Sequence, residues 1–129
     1  MRFGIAPFAT AKKRGGKIMT KKLSKEAEQL IRTVCADYER RARLVRREMI
    51  SPRMQEMYVS LNAAIDGAMS DVYERTRVYA PKFSEQMRAD IAECRGYARS
   101  PLSGLMSEGS YKKYKKMCKD EIAEALLLL

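Results

Sequence analysis

Apolar side chains return every three or four residues along much of this chain, and this spacing constrains the fold more than any other feature of the sequence. One face of an α-helix has this period, whereas one face of a strand repeats every second residue. The first apolar series comprises Ala27, Leu30, Ile31, Val34, Cys35, Tyr38, Ala42, Val45 and Met49. Seven Gly and four Pro in 129 residues are few for a chain rich in β-turns. We therefore predict an all-α fold.

The pattern predicts two long helices, one over residues 24–49 and one extending to about Pro81. The dipeptide Ser51-Pro52 separates them, because Ser caps a helix N-terminus and Pro is tolerated in a first turn. The second apolar series comprises Met54, Met57, Tyr58, Leu61, Ile65, Ala68 and Val72. Gly67 inside this helix predicts close packing at that point. Since the connection is short, we expect an antiparallel helical hairpin over residues 19–83.

Residues 84–129 predict a helix-turn-helix-like unit of three helices, which forms one compact domain with the hairpin. The first helix follows Ser84 and ends at Arg95-Gly96, a cation followed by a residue suited to a left-handed cap. Its inward residues are Met87, Ile91 and Cys94. Ser100-Pro101 opens one or two further turns. The last helix runs from about Ser110 to the C-terminus, and its buried stripe comprises Tyr111, Tyr114, Cys118, Ile122 and Ala125.

The first eighteen residues carry five cations and no acid, and we expect residues 1–18 to be a disordered basic extension. A short acid-free stretch is also compatible with a transit peptide. We favour a third interpretation, in which translation starts at Met19. The codons for Arg14-Gly15-Gly16-Lys17 would then be a purine-rich bacterial ribosome-binding site, and Met19-Thr20-Lys21-Lys22 an ordinary start.

The residue types in the chain argue against catalysis. There is no His, and the three cysteines, Cys35, Cys94 and Cys118, are too far apart for a CxxC clip. Their odd number fits a reducing compartment, so we expect a cytoplasmic protein. The sequence has no Gly-rich phosphate loop and no apolar run near the roughly 18 residues of a membrane span. We therefore expect no enzyme, no metal site, no bound cofactor and no membrane partner.

The carboxylates of the sequence have a simple interpretation. They are grouped at Asp66, Asp71 and Glu74 and again at Asp120, Glu121 and Glu124. Lys and Arg stand three or four residues away, so we expect solvated pairs on helix surfaces rather than acid–base chemistry.

Two basic clusters stand out in a chain of net charge +10. The first lies near the end of the predicted first helix and comprises Arg40, Arg41, Arg43, Arg46 and Arg47. The second opens the last helix, where Lys112, Lys115, Lys116 and Lys119 share the face beside the apolar stripe. Over about 10 Å of helix, four ammonium groups that point the same way suit the phosphates flanking a DNA groove.

These residues predict two kinds of contact with DNA. The groups expected to approach base edges are Ser107, Ser110, Tyr111 and Lys112. Those expected to hold phosphates are Arg99, Lys113, Lys115, Lys116 and Lys119. Four neutralised phosphates would make log affinity fall with log salt at a slope of about −3 to −4. The arginine cluster is a secondary basic patch able to attract a polyanion.

The order of these motifs resembles the small phage-encoded late transcription regulators of the RinA/ArpU type. The matching segments are Ala36-Asp37-Tyr38-Glu39-Arg40-Arg41, Ala64-Ile65-Asp66-Gly67-Ala68-Met69-Ser70-Asp71-Val72-Tyr73, Leu105-Met106-Ser107-Glu108-Gly109-Ser110-Tyr111-Lys112-Lys113-Tyr114-Lys115-Lys116 and Ile122-Ala123-Glu124-Ala125-Leu126. The resemblance covers about residues 24–129. It implies a helix-turn-helix akin to sigma-factor region 4, sequence-specific binding of double-stranded DNA and transcriptional control in a phage or prophage. RNA polymerase and a second copy of the chain are further candidate partners.

The segment ahead of the last helix departs from that family, because Pro101 and Gly104 limit its positioning helix to about one turn. This departure affects sequence specificity more than attraction to DNA. Two other functions stay open: a helical interaction or assembly factor that uses Leu126–Leu129 and the methionine stripes, and an RNA-binding protein that uses Arg40–Arg47. Lysines at 112–119 that project outward beside a short preceding helix with a steep crossing angle favour DNA binding, whereas a straight bundle that covers the start of the last helix favours the interaction protein.

Overall fold

The computed structural model describes residues 23–78 and 80–126, and this part of the chain is all helical. It contains α1 (Lys25–Ala36), α2 (Tyr38–Arg47), α3 (Pro52–Thr76), α4 (Phe83–Ala92) and α5 (Glu108–Ala125), with two 3₁₀ turns at Tyr97–Arg99 and Pro101–Gly104. No strand occurs among these residues, so the predicted all-α class is confirmed. The predictions for residues 1–18 and for Leu127–Leu129 lie outside the described residues.

Three serines cap the N-termini of helices. The hydroxyl of Ser24 accepts the Ala27 N–H at 3.0 Å and that of Ser51 accepts the Met54 N–H at 3.2 Å, so both predicted caps are confirmed. The third cap is Ser107, and the last helix therefore begins at Glu108, two residues before the predicted start. Each hydroxyl satisfies one of the amide groups that a helix start leaves without a partner.

The first predicted helix is in fact two, because the chain leaves regular helix geometry at Asp37. In a continuous helix the carbonyl of Val34 would accept the N–H of Tyr38. That carbonyl instead accepts the guanidinium of Arg41 at 2.7 Å. A side chain that enters the backbone ladder is a known cause of helix breaks. The prediction of one helix over residues 24–49 was wrong for this reason.

Two other helix ends also differ from the predictions. The third helix in the chain stops at Thr76, where Arg77 takes a left-handed conformation with φ 56°, rather than near Pro81. After α4 the left-handed residue is Cys94, with φ 54°, whereas Gly96 has an ordinary extended backbone. The thiol of Cys94 is exposed rather than inward.

The core is built by four of the helices. Helix α1 packs on α4, and α3 packs on α5 and α4. The largest buried side chains include Ile31, Ile65, Met69, Phe83, Met87, Ile91, Leu102, Tyr111 and Ile122. Gly67 lies on the surface, and a Cβ added to it would meet no atom within 4 Å. The predicted close packing at Gly67 was therefore wrong.

The part of the chain around the connection between α2 and α3 contributes no buried residue to this core. Helices α2 and α3 lie antiparallel, since Tyr38 donates to Asp66 at 2.8 Å and Arg41 donates to Asn62 at 2.7 Å. Beyond these contacts no residue from 42 to 63 is buried. We call residues 42–63 the arm.

The segment ahead of α5 consists of the two 3₁₀ turns and contains no α-helix. The hydroxyl of Tyr97 lies 2.6 and 2.7 Å from the carbonyls of Ser103 and Met106, and the buried Leu102 anchors the second turn in the core. Pro101 occupies its first position, where its missing N–H costs nothing. A helix-turn-helix of the ordinary kind would have an α-helix here, so this part of the predicted architecture differs from the structure.

Candidate nucleic-acid interface

The orientation of α5 is fixed by a buried tyrosine. Tyr111 is 1% exposed and donates its hydroxyl hydrogen to Asp90 on α4 at 2.8 Å. Burial, together with the Asp90 carboxylate, raises the pKa of Tyr111. Asp90 is itself buried and pairs with Arg95 at 3.1 Å. The predicted burial of Tyr111 is confirmed, and its assignment as a base-approaching group was wrong because the ring faces the core.

With Tyr111 inward, the opposite side of α5 is exposed. Lys112 is 70% and Lys116 53% exposed, and Lys113 is exposed as well. Helical spacing places these three side chains on one face together with Gly109. We call Lys112, Lys113 and Lys116 the lysine face. Two of its ammonium groups have acidic neighbours one turn away, Glu108 at 3.3 Å from Lys112 and Asp120 at 3.2 Å from Lys116.

Two of the predicted phosphate-binding lysines do not belong to that surface. The ammonium of Lys115 donates to the backbone carbonyl of Arg95, and burial lowers its pKa. The ammonium of Lys119 donates to Glu28 on α1 at 3.1 Å. Both side chains join α5 to neighbouring segments, so the predicted face of four lysines at 112, 115, 116 and 119 is divided.

The remaining residues of the predicted DNA site have mixed positions. The hydroxyl of Ser107 is occupied as the helix cap, and Ser110 is half-buried. Arg99 is exposed at the end of the first 3₁₀ turn. The structure therefore leaves Lys112, Lys113, Lys116 and Arg99 as the exposed cations of this region.

The arginine cluster on α2 is divided in the same way. Arg41 is 3% exposed and bonds to Val34 and Asn62, so its assignment to a surface patch was wrong. Arg40 holds Asp37 through two hydrogen bonds of 2.7 and 2.6 Å. The other three, Arg43, Arg46 and Arg47, are exposed and form no ion pair with a described residue.

A buried polar cluster was not predicted from the sequence. Arg75 on α3 pairs with Glu121 at 2.9 Å and with Asp71 at 3.3 Å. Burial and the neighbouring Asp71 raise the pKa of Glu121 to about 7. Asp120 is buried as well, so the solvated pairs expected at residues 120 and 121 were wrong. The sequence contained one signal for the burial of Glu121: this residue lies three positions after Cys118, which was predicted to be buried, and so shares its helix face.

Among the described residues no three side chains of Cys, Asp or Glu come together as metal ligands. None of the described helices is long and apolar enough to cross a membrane.

No known protein family matches this chain, and no curated protein or solved structure is significantly similar to it. The resemblance to phage regulators consequently rests on the sequence motifs alone.

Proposed function

We propose that this chain is a non-catalytic DNA-binding protein that controls transcription in a phage or prophage. The observation that supports this function best is the lysine face, which lies exposed on a helix whose other side is held by the buried Tyr111. A rigid helix that presents several cations in one direction is what phosphate binding requires.

The geometry suits contact with a DNA backbone. The four helical steps from Lys112 to Lys116 span about 6 Å of axis, so three ammonium groups lie within little more than one turn. They stand in the first half of α5, after its first turn. The salt bridge between Glu108 and Lys112 is a surface pair of small energy and does not hold this lysine away from a phosphate.

Base recognition in this proposal depends on fewer groups than phosphate binding. With Tyr111 buried and Ser107 occupied as a cap, the side chains that remain are Ser110 and Lys112. A 3₁₀ turn replaces the usual positioning helix. We therefore expect salt-dependent binding with modest sequence preference, sharpened in the cell by a second subunit or by RNA polymerase.

The test is a mobility-shift assay of the full chain with duplex DNA across a salt series. Contacts through the lysine face and Arg99 predict a slope of log affinity against log salt of about −3 to −4. In Lys112→Gln/Lys113→Gln the slope should become shallower by about 2, because two phosphate contacts are lost.

The matched control is Lys25→Gln/Lys82→Gln, which removes the same charge from exposed positions elsewhere. Its slope should remain that of the unmodified chain. Equal losses in both double variants would reduce the effect to net charge and contradict the assigned site. Stronger binding of single-stranded RNA, abolished by Arg43→Gln/Arg46→Gln, would favour the RNA-binding alternative.

A further inference from the structure

The arm carries apolar side chains that the fold leaves in contact with water. Met49 is 67% and Met57 50% exposed, and Met54 and Val59 are exposed as well. These four account for most of the large exposed apolar residues in the described part of the chain. Met54 and Met57 share one face of α3, and several apolar side chains on one face mark an interaction site more often than a single one does.

The exposed methionines continue a stripe that is buried elsewhere on the same helix. Along α3, Met54, Met57 and Leu61 extend at helical spacing into Ile65, Ala68 and Val72. The last three are buried where α4 and α5 pack on α3. In the arm α3 pairs with α2, and Leu61 is half-buried while Met54 and Met57 remain exposed. The stripe on α3 is thus covered by additional helices in the core, and no such helix covers it in the arm.

The charges of the arm indicate what kind of helix could cover the exposed part of the stripe. The arm contains four arginines, Arg43, Arg46, Arg47 and Arg53, against the two acids Glu48 and Glu56. All four guanidinium groups are exposed, and none forms an ion pair with a described residue. An exposed apolar stripe on an arm that also carries four exposed arginines is complementary to a helix that is apolar on one face and acidic on the other.

We propose that the arm binds an acidic amphipathic helix of a partner protein, which packs on the exposed methionines and pairs with the exposed arginines of the arm. Methionine suits this contact, because its flexible thioether adapts to different apolar surfaces. A second copy of the arm would place arginine against arginine, which electrostatic repulsion disfavours. A nucleic acid would use the arginines and leave the methionines in water. The proposal is independent of DNA binding through α5.

The test uses a synthetic peptide of about 18 residues with leucines at helical spacing and glutamates on the other face. A second peptide has lysine in place of each glutamate. The full chain is labelled with ¹³C at its methionine methyl groups. The glutamate peptide should shift the resonances of Met49, Met54 and Met57, while those of the buried Met69, Met87 and Met117 stay in place. The lysine peptide should shift none of them.

Two double variants test the contributing groups by fluorescence anisotropy. Met54→Ser/Met57→Ser and Arg47→Gln/Arg53→Gln should each weaken binding of the glutamate peptide by about tenfold or more. The matched controls are Leu30→Ser/Leu105→Ser and Lys25→Gln/Lys82→Gln, which alter exposed residues outside the arm and should leave the affinity unchanged. All four should unfold near the midpoint of the unmodified chain, because none removes a buried side chain.

Several results would overturn the proposal. One is no binding of the glutamate peptide, and another is equal binding of both peptides. Shifts of the arm methionines that depend on protein concentration alone would make a second copy the occupant. Shifts produced by RNA or DNA and not by the glutamate peptide would make the arm a nucleic-acid site.

Discussion

The core and the arm of this protein share the helix α3, but its apolar stripe is buried in the core and largely exposed in the arm. In the core, α3 is covered by other helices, and cations pair with acids on other helices, as Arg88 does with Glu39 and Arg75 with Glu121. In the arm Met54 and Met57 of the same stripe are exposed, and Arg43, Arg46, Arg47 and Arg53 form no ion pair with a described residue. The comparison shows that a residue pattern predicts which face of a helix is apolar, whereas the number of neighbouring helices decides whether that face is buried.

The largest expected difference between the two regions lies on the stripe of α3 itself. Ile65→Ala in the core should lower the free energy of unfolding by about 3 kcal/mol, because it removes a fully buried side chain and leaves a cavity. Met57→Ala in the arm should cost less than about 1 kcal/mol. Urea denaturation of both variants measures the difference. Equal losses would show that the arm is covered in solution.

The second prediction concerns the buried Glu121. Its pKa is raised to about 7 in the folded chain from an ordinary value of 4.5, so the folded state binds the proton more tightly. The stabilising effect of this proton is present below about pH 4.5 and is lost as the pH rises toward 7. Charged or polar groups facing Glu121 are Asp71, Arg75 and Glu124. Unfolding free energies measured between pH 4.5 and 8 should therefore fall by about 3 kcal/mol from this source.

Glu121→Gln should remove most of that dependence, because the amide is neutral throughout. The matched variant in the arm is Glu56→Gln, whose side chain is exposed, and it should leave the pH profile as it was. A pH profile unchanged by Glu121→Gln would contradict the assignment.

A third prediction separates the structural role of Tyr111 from a role in DNA recognition. Tyr111→Phe removes the hydrogen bond to the buried Asp90 and should lower stability by about 1.5 kcal/mol. The control Tyr114→Phe, at a half-buried position on the same helix, should cost less than about 0.5 kcal/mol. Thermal unfolding at matched pH distinguishes them. If Tyr111→Phe altered DNA sequence preference without altering stability, the tyrosine would have to leave the core on binding.

The smallest predicted effect is a gain in stability. Gly67→Ala places a methyl group where no atom lies within 4 Å, on a backbone of ordinary helical sign. Alanine should therefore raise the free energy of unfolding by about 1 kcal/mol through its higher helix propensity. A loss of stability or a changed oligomeric state would mean that another molecule packs against Gly67 in solution.

What the sequence predicted well was local in origin. The helical class, the Ser24 and Ser51 caps and the inward stripe of α5 all follow from spacing within one element. The failures involve partners distant in the chain. The break at Asp37 depends on Arg41, whose position is fixed by Asn62 on another helix. Helical spacing alone predicts Lys115 and Lys119 to be surface cations, but the fold brings the Arg95 carbonyl to Lys115 and Glu28 to Lys119.

No residue between 42 and 63 is buried, so the core places no packing requirement on the length of the arm. If α2 and α3 were each lengthened by the same number of whole turns within the arm, the loop between them would lie farther from the core. The contacts of Arg41 and of the core helices would stay as they are. The fold thus holds the lysine face at a fixed place, whatever distance separates the core from the loop between α2 and α3.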